Sequence, residues 1–354
     1  MEDQKSTTSD LITTMEETNF TSGNTATSKW TSHRFYFTLF LIIIGVIGSL
    51  GNALILYALV ASNQYKKYLL IFNQNALDFY ASVLLIIMFS VKLSNIPRTY
   101  WYCTLIVTDL FHKFGIFGSV INLILVTVER YVKICTKKEL RRWMIYSGMA
   151  FAWIASVVYN VADVFSTTVF VNGRCLSYAI FHNNFAKSFN FIFRFLAFYV
   201  ITLVTFIFCY GRILIVIRRQ AKVMASHNAP QSRNNQTHSK KIQTNVIKTM
   251  IIVSALYAIL WLPIYIPTFL YLFQTTNKDR IQLIIMLYYV SLFCQCLYMF
   301  INPFIYATTF DPVRQILFRM IPWKRTSNQV TVSANNTADT CLATFRSGRN
   351  QVTD

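Results

Sequence analysis

Seven runs of mostly apolar residues, each long enough to cross a bilayer, decide what this chain can fold into. They are Phe35–Ala61, Tyr68–Val91, Leu105–Ile134, Trp143–Val171, Phe189–Ile217, Val246–Phe273 and Ile281–Tyr306. A helix rises about 1.5 Å per residue, so about 20 residues cover roughly 30 Å of hydrocarbon. No water reaches that layer, and a helix satisfies its backbone amides and carbonyls internally. One or two buried helices of a soluble protein cannot account for seven such runs. The third, fifth and seventh carry polar residues, so their assignment rests on length and flanks. Composition agrees: 54% of residues are apolar and 13% charged, where soluble domains carry about 25% charge. The reading is an all-α membrane protein, a seven-helix transmembrane bundle over 35–306.

The net charge of +19 first suggests nucleic acid, but its placement argues otherwise. With seven spans, the amino tail shares a side with the second, fourth and sixth connections. That side carries nine Lys and Arg, and the other carries 19 once Lys133 is counted with its adjoining loop. Cytoplasmic connections are the basic ones, so the amino terminus is expected outside and the carboxyl terminus inside. The charge is then mostly a topology signal. Residues 1–34 are Thr- and Ser-rich, lack an apolar stretch of signal-peptide length, and read as a disordered external tail with a glycosylation sequon at Asn19. Cys103 and Cys175 both fall outside, where conditions are oxidising. They either pair or remain two free thiols.

Polar groups within the spans are costly and usually face a bundle interior. Asn52 lies mid-span one, Asp78 mid-span two, and Asn302-Pro303, followed by Tyr306, in the inner half of span seven. Each alone is as readily a satisfied structural residue; together they suggest a shared buried network. Glu129-Arg130-Tyr131 closes span three. There a carboxylate can hold a guanidinium by a charge-assisted bond, or the arginine can merely anchor the span. Trp261-Leu262-Pro263 in span six marks a kink, because proline removes a backbone donor.

This pattern resembles the rhodopsin-like (class A) G-protein-coupled receptors over roughly residues 35–322. The residues that carry the likeness are Gly51-Asn52, Asn73 with Asp78, Cys103 with Cys175, Glu129-Arg130-Tyr131, Trp153, Tyr210, Trp261-Leu262-Pro263 and Asn302-Pro303-Phe304-Ile305-Tyr306. The resemblance implies a plasma-membrane receptor that binds an extracellular ligand and performs no bond chemistry. The cytoplasmic half of span six would swing out about Pro263, below Trp261. Arg130 would leave Glu129 and meet Tyr210 and Tyr306, and the opened cleft would take a heterotrimeric G protein and promote nucleotide exchange on it. Asp78, Ser119, Trp261 and Asn302 match the family's sodium pocket, whereas Tyr298 and Met299 depart from its small polar residues and weigh against sodium. Cys103 lies farther from Arg130 than in most members, which suggests a local bulge or an extra half turn. Thr202 stands where span five usually has proline.

His112 stands where amine receptors keep an aspartate, and Cys296 where opsins keep the retinal lysine, so the resemblance argues against both ligand types. A peptide is the favoured ligand by elimination. Asp109, His112, Lys113 and Ile116 are spaced as one helical face. Arg194 and Asp163 lie in the outer parts of spans five and four, and Tyr265 and Gln295 are further pocket candidates. Two readings stand. His112, Lys113 and Arg194 form a cationic patch for an acidic group, or Asp163 or Asp109 already neutralises Arg194 or Lys113.

Residues 307–325 place Val313, Ile316, Leu317, Met320 and Ile321 as an apolar stripe among basic residues, an amphipathic helix on the membrane surface. Residues 326–354 are polar and Thr/Ser-rich, a disordered cytoplasmic tail suited to receptor kinases and arrestin. The competing class is a seven-span transporter or channel, but no internal repeat is present and the chain has only ten Gly. An enzyme is disfavoured because no metal or nucleophile spacing occurs.

Overall fold

The computed structural model describes residues 24–94, 96–97, 99–171, 174–177, 184–226, 233–272, 278–309, 313–314 and 316–317. Among them are seven helices long and apolar enough to cross a membrane: Phe35–Ala61, Leu69–Leu93, Tyr102–Thr136, Arg142–Phe165, Ser188–Gln220, Ile247–Leu270 and Met286–Thr309. They are spans one to seven. The first helix already begins at Asn24, inside the expected disordered tail. Once a helix is nucleated, each further residue adds a hydrogen bond at little cost. Asn19, most of the 307–325 segment and the tail after it lie outside the described residues.

Spans one to four pack each against the next, and span seven closes the ring against spans one and six. Span three runs through the middle: 67% of its most apolar stretch is buried, against 22–39% in the others. Large apolar side chains such as Leu50, Ile154, Ile207 and Ile259 face outward, as lipid contact requires. Small residues let the central helices approach. A Cβ on Gly115 of span three would lie 2.6 Å from the Ala81 Cβ of span two, and one on Gly51 would lie 2.9 Å from Cγ of Pro303 in span seven.

One boundary differs in kind. Span four was expected to run to Val171, but its helix ends at Thr167. Thr168–Val171 is strand β1, paired antiparallel with β2, Arg174–Ser177, with Phe170 opposite Cys175. β-branched residues (Thr167, Thr168, Val169, Val171) favour extended backbone. The intervening Asn172-Gly173 is a hairpin-turn sequence. Hydropathy alone does not tell a strand from a helix end. The bundle is all-α, and this hairpin caps it.

Two wide turns interrupt the outer halves. Tyr102–Val107 in span three and Phe195–Val200 in span five are π-helical, and a third π-turn, Val132–Thr136, ends span three at its other end. After the first, Asp109 adopts a left-handed conformation with φ 56° before the α-helix restarts at Leu110. This is a local bulge of the kind the long interval from Cys103 to Arg130 suggested. Cys103 is bonded to Cys175 with the Cα atoms 5.5 Å apart, which ties the hairpin to the head of span three. In span six the α-helix stops at Trp261, Leu262–Ile264 forms a 3-10 turn, and Tyr265–Leu272 resumes as α. Pro263 lacks the N–H that would continue the ladder.

Candidate functional site

At mid-depth, spans two, three, four and seven share one buried polar network. Asp78 Oδ1 accepts from Ser119 Oγ at 2.7 Å and from Gln74 Nε2 at 3.5 Å, and its Oδ2 accepts from Asn302 Nδ2 at 2.9 Å. Gln74 also donates to Ser119 and accepts from Asn122 Nδ2 at 2.9 Å. Asn122 Oδ1 accepts from Asn73 at 2.8 Å, and Asn73 Oδ1 accepts from the Trp153 indole at 3.1 Å. Asn52 was expected in this network but makes no direct bond to it. Its amide donates to Gly48 O of its own helix at 2.9 Å, and its Oδ1 is buried without a partner. Gly51 brings span one against Pro303, and Asn52 turns back along its own turn. Gln74 and Asn122 escaped the sequence reading. A polar residue in an apolar run does not announce a partner on another helix, although both recur on the helical face of Asp78 and Ser119 respectively.

Toward the predicted cytoplasmic side, Arg130 is buried and its Nη2 lies 3.5 Å from Glu129 Oε2. The guanidinium stacks 5.5 Å from the Tyr68 ring centroid, and its Nε has no hydrogen-bond partner. Tyr131 lies beside Phe208 of span five, ring centroids 5.6 Å apart. Tyr210 is buried between spans: its hydroxyl meets Thr127 Oγ1 at 3.0 Å and accepts from Ser254 at 3.4 Å. Tyr306 is buried in span seven. Thr249 of span six donates to Thr309 of span seven at 2.7 Å.

Above the network, Trp261 is buried with its indole N–H unbonded. It packs against Tyr257 (5.2 Å) and edge-on to Phe117 of span three (6.2 Å). The carbonyl of Pro263 accepts from Ser291 Oγ of span seven at 2.7 Å. Spans five and six are tied reciprocally: Tyr199 donates to Ala258 O at 2.8 Å and Tyr257 to Phe198 O. Phe198 O, within the π-turn, also accepts from Thr202 Oγ1 of its own helix at 2.9 Å.

The outer charged residues sort into pairs. Lys92 binds Asp109 at 2.7 Å, and Arg194 lies 3.6 Å from Asp163. Asp109 does not continue the face of His112 and Lys113. The left-handed turn at Asp109 interrupts the helical register, and its carboxylate goes to span two. His112 is also committed there, its Nδ1 2.8 Å from Ala81 O while Nε2 is buried without a partner. Tyr265 packs edge-on to Phe195 and tilted against Tyr199, ring centroids 5.1 and 5.4 Å apart. Gln295 is half-buried, and its neighbour Cys296 packs with Leu41, Ile44, Leu85 and Phe89 toward spans one and two.

A family model described as 7 transmembrane receptor (rhodopsin family) matches residues 51–306. The chain belongs to this family. The receptor is 23% identical over 332 residues to the adenosine receptor A2a of Canis lupus familiaris, covering 87% of this chain and 77% of that one. It is 25% identical over 165 residues to rhodopsin of Sminthopsis crassicaudata, 44% of each chain. Its fold matches crystalline squid rhodopsin with a TM-score of 0.65 at 18% identity, over 82% of this chain and 86% of that one. Rhodopsin-family receptors are multi-pass plasma-membrane proteins rather than enzymes, and they signal through G proteins in response to extracellular ligands.

Proposed function

We propose that this receptor binds a ligand, with a peptide favoured, between the outer halves of its spans. It then promotes nucleotide exchange on a heterotrimeric G protein by outward movement of span six. The amino terminus is outside; the Cys103–Cys175 bond supports this, because disulfides persist in oxidising compartments. The observation that carries the reading is the state of Arg130. Among the described residues it is a buried guanidinium held only by its chain neighbour Glu129 and a tyrosine face, with one N–H unspent. Such a group has much to gain from new acceptors and little to lose.

In this reading the ligand favours the open state through its better affinity for it. Pressure on Phe117 passes to Trp261, and the inner half of span six swings about the 3-10 turn at Pro263. The Thr249–Thr309 bond breaks, and Arg130 turns toward Tyr210 and Tyr306. The Asp78 network serves as the fixed floor. Its carboxylate is served by Ser119, Gln74 and Asn302, and Tyr298, one turn outward of Asn302, is buried. Tyr298 and Met299 stand where the family keeps small polar residues, which weighs against sodium here, although Asn302 Oδ1 is buried without a partner beside the Asp78 carboxylate, and no step of the switch depends on the ion. Receptor kinases and arrestin on the 326–354 tail, and membrane lipid on the 307–325 segment, complete the partners.

The test is nucleotide exchange on Gα subunits in membranes carrying the receptor, wild type against Arg130→Gln. Exchange that depends on the receptor and disappears in Arg130→Gln at equal surface expression supports the reading. Substrate flux with no exchange on any Gα would favour a transporter instead.

A further inference from the structure

We propose that Lys113 is the receptor's ligand-anchoring cation and that the ligand it receives carries an anionic group, most simply a carboxylate. The inference rests on the receptor reading above and deepens it by naming the ligand's chemistry.

The charged groups that act on Lys113 are Arg194, Asp163, Asp109 and Lys92. The two acids are already engaged, Asp109 by Lys92 at 2.7 Å and Asp163 with Arg194 at 3.6 Å. These four charges cancel, so the cluster's excess positive charge rests on Lys113, which forms no ion pair among the described residues. His112 cannot compensate, because an imidazole is neutral or cationic and carries no negative charge. An ammonium without a counter-ion inside a bundle is costly. Lys113 is nevertheless not fully enclosed, since part of its surface remains accessible. An arriving anion would supply the missing counter-charge.

A second observation comes from the loops. The outer connections, residues 94–101, 172–187 and 274–280, hold Arg98, Arg174, Lys187, Lys278 and Arg280, against Asp279 as their one acid. A rim of one sign raises the local concentration of an oppositely charged ligand. The rim and the unpaired cation below it select the same charge.

The position also links binding to the switch. Phe117 lies one turn inward of Lys113 on the same helical face. It touches Trp261 at 6.2 Å and Phe198 at 4.7 Å, and the Arg194 guanidinium stands 5.9 Å from its ring. An anion held by Lys113 places the rest of the ligand over this aromatic group.

The anion could belong to a small organic acid or to an acidic peptide. The experiment uses purified full-length receptor and four probes: octanoate, octanamide, acetyl-Phe-Leu-Phe as the free acid, and the same peptide as its carboxamide. Apparent affinities are read from the shift in thermal unfolding. An acid should bind about tenfold to a hundredfold more tightly than its neutral counterpart, the range of one charge-assisted bond. Lys113→Gln should erase that preference, and Lys113→Arg should keep it. Octanoate alone assigns a small acid and the peptide acid alone a peptide; either supports the anion site. Failure of both acids to stabilise the wild type, or an unchanged preference in Lys113→Gln, overturns the proposal. Without any probe, Lys113→Gln should leave the unfolding midpoint equal or higher. A clear drop would mean that the ammonium is already paired within the protein, and would also overturn it. Basal nucleotide exchange on the same preparations separates the two readings. Exchange with no acid preference sinks the anion site alone, whereas acid binding without exchange sinks the signalling reading alone.

Discussion

Replacing Gly115 by Ala tests whether the close approach of spans two and three sets the geometry of the buried network. The new Cβ would stand 2.6 Å from the Ala81 Cβ, 2.9 Å from Tyr80 Cδ1 and 3.0 Å from the Ala81 Cα. Carbon atoms pack at about 3.5–4.0 Å, so the two helices must part by roughly 1 Å at this level. Ala81 offers no rotamer to yield. His112, one turn outward, bonds Ala81 O at 2.8 Å, and Ser119, one turn inward, bonds Asp78 at 2.7 Å. A shift of roughly 1 Å takes both beyond a good hydrogen bond. Overpacking costs about 1–3 kcal/mol and each weakened bond about 0.5–1.5, so Gly115→Ala should lose about 2–6 kcal/mol. The assay is thermal unfolding of purified receptor, with surface expression alongside. Adding Ala81→Gly removes the 2.6 Å contact but leaves the 3.0 Å one, so it should restore part of the loss. A Gly115→Ala receptor as stable as wild type would refute the reasoning.

Gln74→Leu should lower stability by about 1–3 kcal/mol, because it leaves Asn122 Nδ2 one acceptor short and removes a donor from Asp78; denaturation of the purified variant checks it. Cys103→Ser removes a bond that closes a separation of 72 residues and should cost about 2–5 kcal/mol, read as reduced surface expression. Thr249→Val deletes the hydroxyl that bonds Thr309 and should raise basal nucleotide exchange; unchanged basal exchange would exclude this bond from the latch. Lys133 donates to Glu139 at 2.7 Å and holds its carboxyl below the usual range. That contribution is present above the unfolded carboxylate pKa and lost as pH falls through the lower folded value. Because the pair is exposed, Lys133→Ala should leave the unfolding midpoint at neutral pH nearly unchanged.

The spans were readable because lipid imposes one requirement, length of apolar helix, that hydropathy measures directly. The hairpin was not, because Thr168 to Val171 satisfy the same measure in extended form. The spacing rule also failed at Asp109: periods of three and four assume an unbroken helix, and a left-handed residue breaks it. The long interval before Arg130 did register the irregularity, as a surplus of residues, without saying which side chain would be re-aimed. Asp78, Ser119 and Asn302 could be grouped by depth. Gln74 and Asn122 could not, since the bonds that recruit them join residues far apart in the chain. The charges of the outer half were visible, but not their partners. That Lys92 rather than Lys113 takes Asp109 depends on how the helix turns beneath the disulfide.

The π-turns at Tyr102–Val107 and Phe195–Val200 divide the molecule. Each inserts extra backbone into its helix, and one inserted residue rotates everything on its far side by about 100°. The ends of spans three and five nearest the Cys103–Cys175 bond can therefore be aimed independently of the segments carrying Arg130 and Tyr210. The half of the molecule beside the disulfide is thereby uncoupled in register from the half carrying Arg130, and either can be remodelled while the other stays as built.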